Sequence, residues 1–329
     1  MTEIKTTVCG LKMRSPIIAG SSGLTGSVDK VVDLASAGAG AVVLKSIYEE
    51  QILNDAARES GKGGVVYGQD DIDGFITYYE RKHSIQEHVK LVRECKSACD
   101  IPVIASVNAL SNDEWQSIGG ELAEAGADAL QLNLFVSPFD EAIGSDQMES
   151  MYSAIVKKVK ASTTIPVIAK IGAHFTSIPR MVRALEAAGA DGVVLFNRYY
   201  SPDFNIETMA ITSGPVLSQP VEYMQTLRWI SLLSQTIHVP LLGATGIHDG
   251  ETLIKMLLAG APAVEIVSAM YKTGAKQVTS MNKTLAAWMD KHGFGTIEAF
   301  RGQMAVDKGS NRKALERFQY MKNFGGDTD

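Results

Sequence analysis

The sequence predicts a (β/α)8 barrel, the TIM-barrel fold, and three observations support this prediction. First, two short phrases alternate along the 329 residues, a proline followed by an apolar run and an Ala-Gly-Ala followed by an apolar run, and together they mark eight candidate strands. Second, the runs are short and almost wholly apolar, as in parallel strands that are buried on both faces. Third, helical patterns separate the runs, and the first strand lacks the G-x-G-x-x-G turn that a doubly wound sheet usually carries.

The two phrases place the strands in chain order. A proline opens the odd-numbered strands, at 16–20, 102–106, 166–170 and 240–244. An Ala-Gly-Ala closes an alanine-rich helical stretch before each even-numbered strand, at 42–45, 129–133, 193–197 and 264–268. Glycine suits this junction because it adopts the left-handed conformation that ends many helices. After strand one, a helix is predicted to begin near Ser27 to Asp29, which are favourable capping residues.

Two connections are longer than the rest. Roughly 55 residues separate strands two and three, which predicts a helix plus an excursion over the barrel mouth, with loop signals at 61–64 and 68–74. A second insertion runs from Asn197 to about Pro220, and two or three helices are expected from Lys272 to about Lys322. We therefore expect one domain over 1–329, with a barrel core at about 11–271 and C-terminal helices at about 272–322.

The composition is that of a soluble globular protein, with 45% hydrophobic and 21% charged residues. A net charge of −6 gives no support for nucleic-acid binding. No apolar stretch approaches the roughly 20 residues that cross a bilayer, and no signal-peptide core is present, so we expect a cytoplasmic protein without membrane association. The histidines are scattered, and the four-residue spacing of Cys95 and Cys99 on a predicted helix is interpreted as packing, so no metal site is predicted.

Polar residues recur where the predicted strands end at their carboxyl edge, which is where barrels of this kind carry their active sites. These residues are Ser21, Ser22, Lys45, Asn108, Asn133, Lys170, Asn197, the run 243–246 and Ser268. Two lysines and several amides suit a flat, hydrogen-bonding and partly anionic ring. The ends of strands seven and eight are where such barrels present backbone N–H groups to a phosphate. The sequence therefore predicts bound flavin mononucleotide (FMN), with its phosphate at these two strands and its ring across the mouth.

Taken together, the residues resemble the dihydroorotate dehydrogenase family of FMN-dependent barrels, from about Leu11 to Tyr271. The motifs that carry the resemblance follow the family's order: Ser-Pro-Ile-Ile-Ala-Gly-Ser-Ser-Gly at 15–23, Leu-Lys-Ser at 44–46, Asp-Ala-Leu-Gln-Leu-Asn at 128–133, Ile-Ala-Lys at 168–170, Ala-Asp-Gly-Val-Val-Leu-Phe-Asn at 190–197 and Gly-Ala-Thr-Gly-Ile at 243–247. The resemblance implies an enzyme that oxidises dihydroorotate, or a related dihydropyrimidine, to orotate in pyrimidine (UMP) biosynthesis, passing a hydride to flavin N5.

The resemblance also implies roles for individual residues. Lys170 corresponds to the lysine beside flavin N1 and C2=O, where a fixed positive charge stabilises the reduced ring. Lys45 and Ser46 correspond to the pair that contacts the flavin and the substrate edge of the site, and Asn133 and Asn197 correspond to amides that bind flavin and substrate. The other positions that match flavin contacts are Ala19, Ser213, Gly214, Thr245, Gly246, Val267 and Ser268.

In the family, the catalytic base lies on a mobile loop after strand four, within a phrase of the type Asn-Leu-Ser-Cys/Ser-Pro-Asn. Here residues 133–139 read Asn-Leu-Phe-Val-Ser-Pro-Phe, so the resemblance points to Ser137 as the base, with Lys45 and Lys170 as the other catalytic residues. A serine needs assistance from a water chain or a neighbouring lysine, because its proton is held too tightly at neutral pH. A turn-forming role for Ser137 stays open.

The chain departs from the family's pattern at two places. The base phrase is one residue longer and ends in Phe139 rather than asparagine, and the acidic run 70–73 replaces a second substrate asparagine. A missing hydrogen bond to a buried substrate can cost about 1–3 kcal/mol, so a different small cyclic substrate is an alternative. Arg198 could supply a new carboxylate clamp, although a structural arginine is an equal alternative.

Two other functions stay open: a barrel lyase or aldolase with a Schiff base on Lys45 or Lys170, and a flavin-binding subunit without its own oxidation chemistry. The resemblance implies the soluble form, because the chain begins about a dozen residues before strand one, whereas the membrane-associated type carries a helical extension there. It also implies a homodimer and a small-molecule substrate. Any iron–sulfur carrier would belong to a separate subunit, and fumarate, quinone, a nicotinamide-linked partner and oxygen are all possible electron acceptors.

Overall fold

The computed structural model describes residues 2–48, 71–109, 115–135, 141–199 and 201–306, with the backbone alone for 71–84, 109 and 115–117. Within these ranges the strands are β1 (Thr6–Val8), β2 (Leu11–Met13), β3 (Ile17–Ala19), β4 (Ala41–Val43), β5 (Ile47–Tyr48), β6 (Val103–Ala109), β7 (Ala129–Leu134), β8 (Val167–Ile171), β9 (Gly192–Leu195), β10 (Pro202–Asn205), β11 (Ala210–Ser213), β12 (Leu241–Ala244) and β13 (Val264–Ile266).

Eight of these strands form a closed parallel barrel, which confirms the predicted fold class. The order around the barrel is β3, β4, β6, β7, β8, β9, β12 and β13, with β13 returning to β3. The closing pairs join Val264 to Ile17, and Val42 to Val103. Every predicted strand is present, and the third is longer than predicted because β6 continues to Ala109 with the short β5 paired to its outer end.

The helices alternate with the barrel strands. They are α1 (Val28–Ser36), α2 (Asp71–Ala98), α3 (Trp115–Glu124), α4 (Ser145–Ser162), α5 (Ile178–Ala187), α6 (Tyr223–Leu233), α7 (Gly250–Ala259), α8 (Ser268–Thr273) and α9 (Lys276–His292), with 3-10 turns at Gly23–Thr25 and Pro220–Glu222. None of the described helices combines the length and apolarity of a membrane span. The described residues also bring no group of three or more His, Cys, Asp or Glu side chains together as a metal ligand set.

Two predicted boundaries were wrong. The run 68–74 was interpreted as a loop, but α2 begins at Asp71 and includes Gly74, and acidic residues such as Asp71 and Asp73 are favourable in a first helical turn. The C-terminal helices were expected from Lys272, but α8 begins at Ser268, directly after the last barrel strand. The second insertion is the antiparallel hairpin of β10 and β11. The excursion at 49–70 and the segment 307–329 lie outside the described residues, and the single-domain assignment stays a prediction.

The Ala-Gly-Ala phrases act as predicted, because Gly260 ends α7 with a left-handed φ of 115° and the glycines of the other three phrases also have positive φ. Two of the phrases continue with an aspartate that fixes the neighbouring strand. The Oδ2 atom of Asp128 accepts hydrogen bonds from Val103 N–H and from Lys96 Nζ, each at 2.7 Å. Asp191 repeats this arrangement with Val167 N–H at 2.7 Å. These carboxylates lie at the amino ends of the strands, opposite the predicted site.

The barrel interior changes character along its axis. At the amino end, an apolar cluster that includes Ile18, Ile104 and Ile168 packs against Val8 and Met13 of the β1–β2 hairpin, which closes that end. Toward the carboxyl end the buried residues become polar, and they include Ser106, Asn108, Gln131 and Glu265. Buried polar groups are costly unless they are paired, so their concentration at one end marks that end as the candidate functional site.

Candidate functional site

A cavity of about 710 Å³ opens at the carboxyl edge of the barrel, beside β8, β9, β12 and β13. Ligand pockets commonly have volumes of about 300–1,000 Å³, so this cavity is large enough for a cofactor. Its lining consists of Ser21, Lys170, 196–199, Ser201, 213–218, 244–247, 265–268 and Tyr271. Of the residues predicted to bind cofactor or substrate, the lining contains Lys170, Asn197, Arg198, Ser213, Gly214, Thr245, Gly246, Val267 and Ser268.

The charge of Lys170 is compensated inside this cavity. Lys170 Nζ lies 2.7 Å from Glu265 Oε2, and the two side chains are 12% and 2% exposed. The two residues come from β8 and β13, which lie on different sides of the barrel. Sequence reasoning missed Glu265, although a carboxylate within the apolar run 264–268 was itself a signal, because a buried acid nearly always has a partner.

Three amide side chains lie next to Lys170 at the ends of adjoining strands. Asn108 pairs in register with Asn133, and Asn133 pairs with Lys170, so these residues share one level of the barrel. Asn197 Nδ2 donates to Asn133 Oδ1 at 2.8 Å. Asn108 Oδ1 is buried without a hydrogen-bond partner, which is the state expected of a group that binds a ligand.

A chain of hydroxyl groups continues around the edge. Ser21 Oγ lies 2.9 Å from Ser46 Oγ, which lies 2.7 Å from Ser106 Oγ. The backbone N–H of Ser46 also donates to Ser21 Oγ at 2.9 Å. The neighbouring Lys45 is exposed at the end of β4, while Ser46 is buried. The structure thus places the predicted Lys45–Ser46 pair at the barrel edge, with Ser46 anchored by the cavity residue Ser21.

The ends of β12 and β13 have the geometry of an anion-binding loop. Thr245 has a φ of 70° and Gly246 a φ of 76°, so two successive residues are left-handed. A β-branched residue with positive φ is an outlier, and such outliers concentrate at functional sites. Thr245 Oγ1 holds this conformation by donating to Phe196 O at 2.9 Å. Gly246 is needed because a Cβ there would lie 2.1 Å from the backbone N of Tyr223.

Ser218 ties this loop to the next one. Its backbone N–H donates to Ser268 Oγ at 2.9 Å, and its own Oγ accepts from Gly246 N–H at 3.3 Å. Ser218 Oγ also lies 3.0 Å from His248 Nε2. Burial lowers the pKa of His248, and the nearby Lys272 ammonium adds to this effect. Sequence reasoning missed Ser218 and His248, because no motif distinguishes them from loop residues.

Arg198 has an internal partner. Its Nε donates to Glu222 Oε2 at 2.9 Å, and Nη1 donates to Val216 O at 3.1 Å. Burial acts to raise the pKa of Glu222, but hydrogen bonds from Gln219 N–H and from Arg198 outweigh it, so this pKa lies below its usual range. The arrangement matches the structural alternative for Arg198, and its role as a substrate clamp stays a prediction.

An aromatic cluster borders the cavity beyond Asn197. Tyr199 shares a hydrogen bond with His174 Nδ1, and its ring lies 5.0 Å from that of Phe135 between centroids. Burial raises the pKa of Tyr199, with a further contribution from Tyr152, and burial lowers the pKa of His174. Gly172 makes room for Tyr199, because a Cβ there would lie 1.9 Å from its Oη. Sequence reasoning did not identify this cluster, whose members follow three different strands.

Two predicted residues are not in the cavity lining. Ala19 is fully buried within β3 and lies behind Ser21, which faces the cavity. Ser137, the predicted base, lies outside the described residues together with its neighbours at 136–140. Its role therefore stays a prediction from the sequence.

The residues present fit FMN. The cavity has a cation at one end, a strained loop of backbone amides and hydroxyls at the other, and an unpaired buried amide oxygen at its edge. FMN carries a hydrogen-bonding ring and an anionic phosphate, so its two ends match the two chemistries of the site. Lys170, Asn133 and Asn197 would hold the ring, and Gly246, Ser268 and their neighbours would hold the phosphate.

Comparison with known proteins agrees with this geometry. The family model described as dihydroorotate dehydrogenase matches residues 3–289. The catalytic subunit of dihydroorotate dehydrogenase B (NAD(+)) from Thermoplasma volcanium is 28% identical over 317 residues, covering 92% of this chain and 98% of the relative. The same subunit from Methanothermobacter thermautotrophicus is 26% identical over 311 residues (91% and 97%), and dihydroorotate dehydrogenase A (fumarate) from Lacticaseibacillus paracasei is 28% identical over 275 residues (80% and 90%). The chain therefore belongs to the dihydroorotate dehydrogenase family, whose members are oxidoreductases that act on a CH–CH bond.

Proposed function

We propose that this chain uses FMN to oxidise dihydroorotate, or a closely related dihydropyrimidine, to orotate in pyrimidine (UMP) biosynthesis. The observation that carries the proposal is the cavity with Lys170 at one end and the strained Thr245–Gly246 loop at the other. Family membership supports the same activity, as do the names of the relatives. When bound, FMN supplies the hydride acceptor.

The described residues bind and orient. Asn133 and Asn197 are already joined by a hydrogen bond, so their remaining amide groups point in a fixed direction toward a ring amide or carbonyl. Asn108 Oδ1 is a further acceptor without a partner in the protein. A substrate with cyclic N–H and C=O groups would satisfy these atoms, and such pre-positioned contacts orient the C–H bond that breaks.

The proton would be taken by Ser137 Oγ. Oxidation to a C=C bond removes a hydride from one carbon and a proton from its neighbour, so a base is needed beside the hydride acceptor. Ser137 follows β7 by three residues, after Phe135, whose ring packs on Tyr199. Lys45 and Lys170 would complete the catalytic set by fixing charge near the reacting atoms.

The electrons would leave through a separate partner protein. The relatives from Thermoplasma volcanium and Methanothermobacter thermautotrophicus are named as catalytic subunits of NAD(+)-type enzymes. We therefore favour a nicotinamide-linked partner over fumarate, quinone or oxygen, and we also propose that this chain forms a homodimer.

The purified protein tests the proposal directly. It should be yellow and contain FMN, and dihydroorotate added without oxygen should bleach it. The Ser137→Ala variant should keep its affinity for FMN, while flavin reduction slows by about 100-fold or more, which is the usual contribution of a positioned base. A colourless protein that takes up no FMN would end the proposal, and unchanged reduction in Ser137→Ala would remove that serine from the mechanism.

A different cyclic substrate is the second candidate. The observation in its favour is that Arg198 is neutralised by Glu222, while Tyr199 and His174 add an aromatic border to the cavity. Anaerobic mixing of the flavoprotein with a series of dihydropyrimidines and cyclic amides would identify the fastest reductant. The lyase alternative is weakened at Lys170, because a Schiff-base lysine must react as a free amine and this one is ion-paired. Borohydride trapping would test Lys45.

A further inference from the structure

We propose that Glu265 is a positioning residue that lowers the reduction potential of the bound flavin by compensating the charge of Lys170. The inference rests on the proposed function, because it requires FMN in the cavity. Its basis is that the cavity contains an opposed pair of charges, 2.7 Å apart, rather than a lone cation.

Burial makes this pair effective. The Glu265 side chain is 2% exposed and that of Lys170 is 12% exposed, so neither charge is well screened by water or salt. Glu265 itself lines the cavity. A Cβ at Gly20 would lie 3.5 Å from Glu265 Oε2, so the absence of a side chain at Gly20 leaves room around the carboxylate.

The direction of the effect follows from the charge that the flavin gains on reduction. A nearby ammonium favours the reduced ring and a nearby carboxylate disfavours it, and both interactions are strong at low dielectric. Glu265 therefore partly cancels the stabilisation that Lys170 alone would give. A lower potential makes the reduced flavin a stronger reductant, which suits a low-potential acceptor such as a nicotinamide better than fumarate or a quinone.

Glu265→Gln removes the negative charge while keeping the size of the side chain. The experiment reconstitutes the variant with FMN, equilibrates it anaerobically with redox dyes, and follows the loss of the flavin's visible absorbance. At a fixed solution potential, we expect the ratio of reduced to oxidised flavin to rise about tenfold or more, which is a shift of about 30 mV for a two-electron couple. Glu265→Asp keeps the charge, so its potential should lie between those of the wild type and Glu265→Gln.

Asp128→Asn is the matched control. It also removes one carboxylate from a lysine ion pair, but at the opposite end of the barrel. Its potential should equal that of the wild type. Should Glu265→Gln fail to fold, a rise in Glu265→Asp above Asp128→Asn carries the test.

Three results would overturn the inference. An unchanged or lower potential in Glu265→Gln would show that the carboxylate has only a structural role. An equal rise in Asp128→Asn would show that the effect is one of net charge. A protein that binds no FMN would overturn the proposed function and this inference with it, whereas a yellow, substrate-reducible protein with an insensitive potential would remove only the inference.

Discussion

Replacing Gly246 by alanine should damage the site for a reason that the distances around this glycine make plain. Gly246 has a φ of 76°, and a Cβ on it would lie 2.1 Å from the backbone N of Tyr223 and 2.7 Å from the carbonyl carbon of Glu222. These atoms belong to the backbone at the start of α6, so they cannot rotate away as a side chain could. The whole start of the helix has to move.

Two costs add in this variant. A left-handed conformation costs an L-residue with a Cβ about 1–2 kcal/mol, and overpacking a well-filled region costs about 1–3 kcal/mol. Gly293→Ala isolates the first cost, because Gly293 has a φ of 74° and a Cβ added to it would meet nothing within 4 Å. The entropy that alanine removes from the unfolded chain is common to both variants and cancels in the comparison. Gly246→Ala should therefore be less stable than Gly293→Ala by about 1–3 kcal/mol.

Thermal unfolding of the FMN-free proteins measures this difference. One kcal/mol shifts Tm by about 2 °C in a protein of this size, so Gly246→Ala should melt about 2–6 °C below Gly293→Ala. Fluorescence titration should also show that FMN affinity falls about tenfold or more in Gly246→Ala alone, because the shifted loop no longer presents its backbone, and tenfold corresponds to about 1.4 kcal/mol. Equal melting temperatures and equal affinities in the two variants would refute the close approach of Gly246 to α6.

Further predictions concern the helical layer and the aromatic border. Burial lowers the pKa of His88 from 6.5 to about 4, so the unfolded chain binds the proton first and stability should fall as the pH drops from 6.5 toward 4, by about 2 kcal/mol at pH 5. Melting curves of the FMN-free protein at pH 7 and pH 5 should show this loss, and His88→Leu should show a smaller one; equal losses would assign the effect to other groups. Gly172→Ala should displace Tyr199 and lower kcat/KM about tenfold or more, a change of about 1.4 kcal/mol in the activation barrier, while Tyr199→Phe, which keeps the ring, should lose less. Steady-state kinetics at matched FMN loading checks this, and wild-type kinetics in Gly172→Ala would contradict the packing of Tyr199 on that strand.

The sequence by itself determined the barrel and most of the cofactor end of the site. The repeated Pro and Ala-Gly-Ala phrases report local requirements, namely a strand start and a left-handed helix end, and these requirements are set by a few adjacent residues. The carboxyl ends of parallel strands meet at one edge, so Lys170, Asn133, Asn197 and Gly246 could be assigned to a common site before any contact was known. The motifs that resemble the family lie in the same short segments.

Only the tertiary structure decided which charges and rings meet. Glu265 looked like one residue of a buried strand, and its pairing with Lys170 depends on two strands that are 95 residues apart in the chain. Tyr199, His174 and Phe135 follow three different strands, and Arg198 finds Glu222 across an insertion. Periodicity and local propensity carry no information about such partners, because side chains that are distant in sequence become neighbours only when the barrel closes.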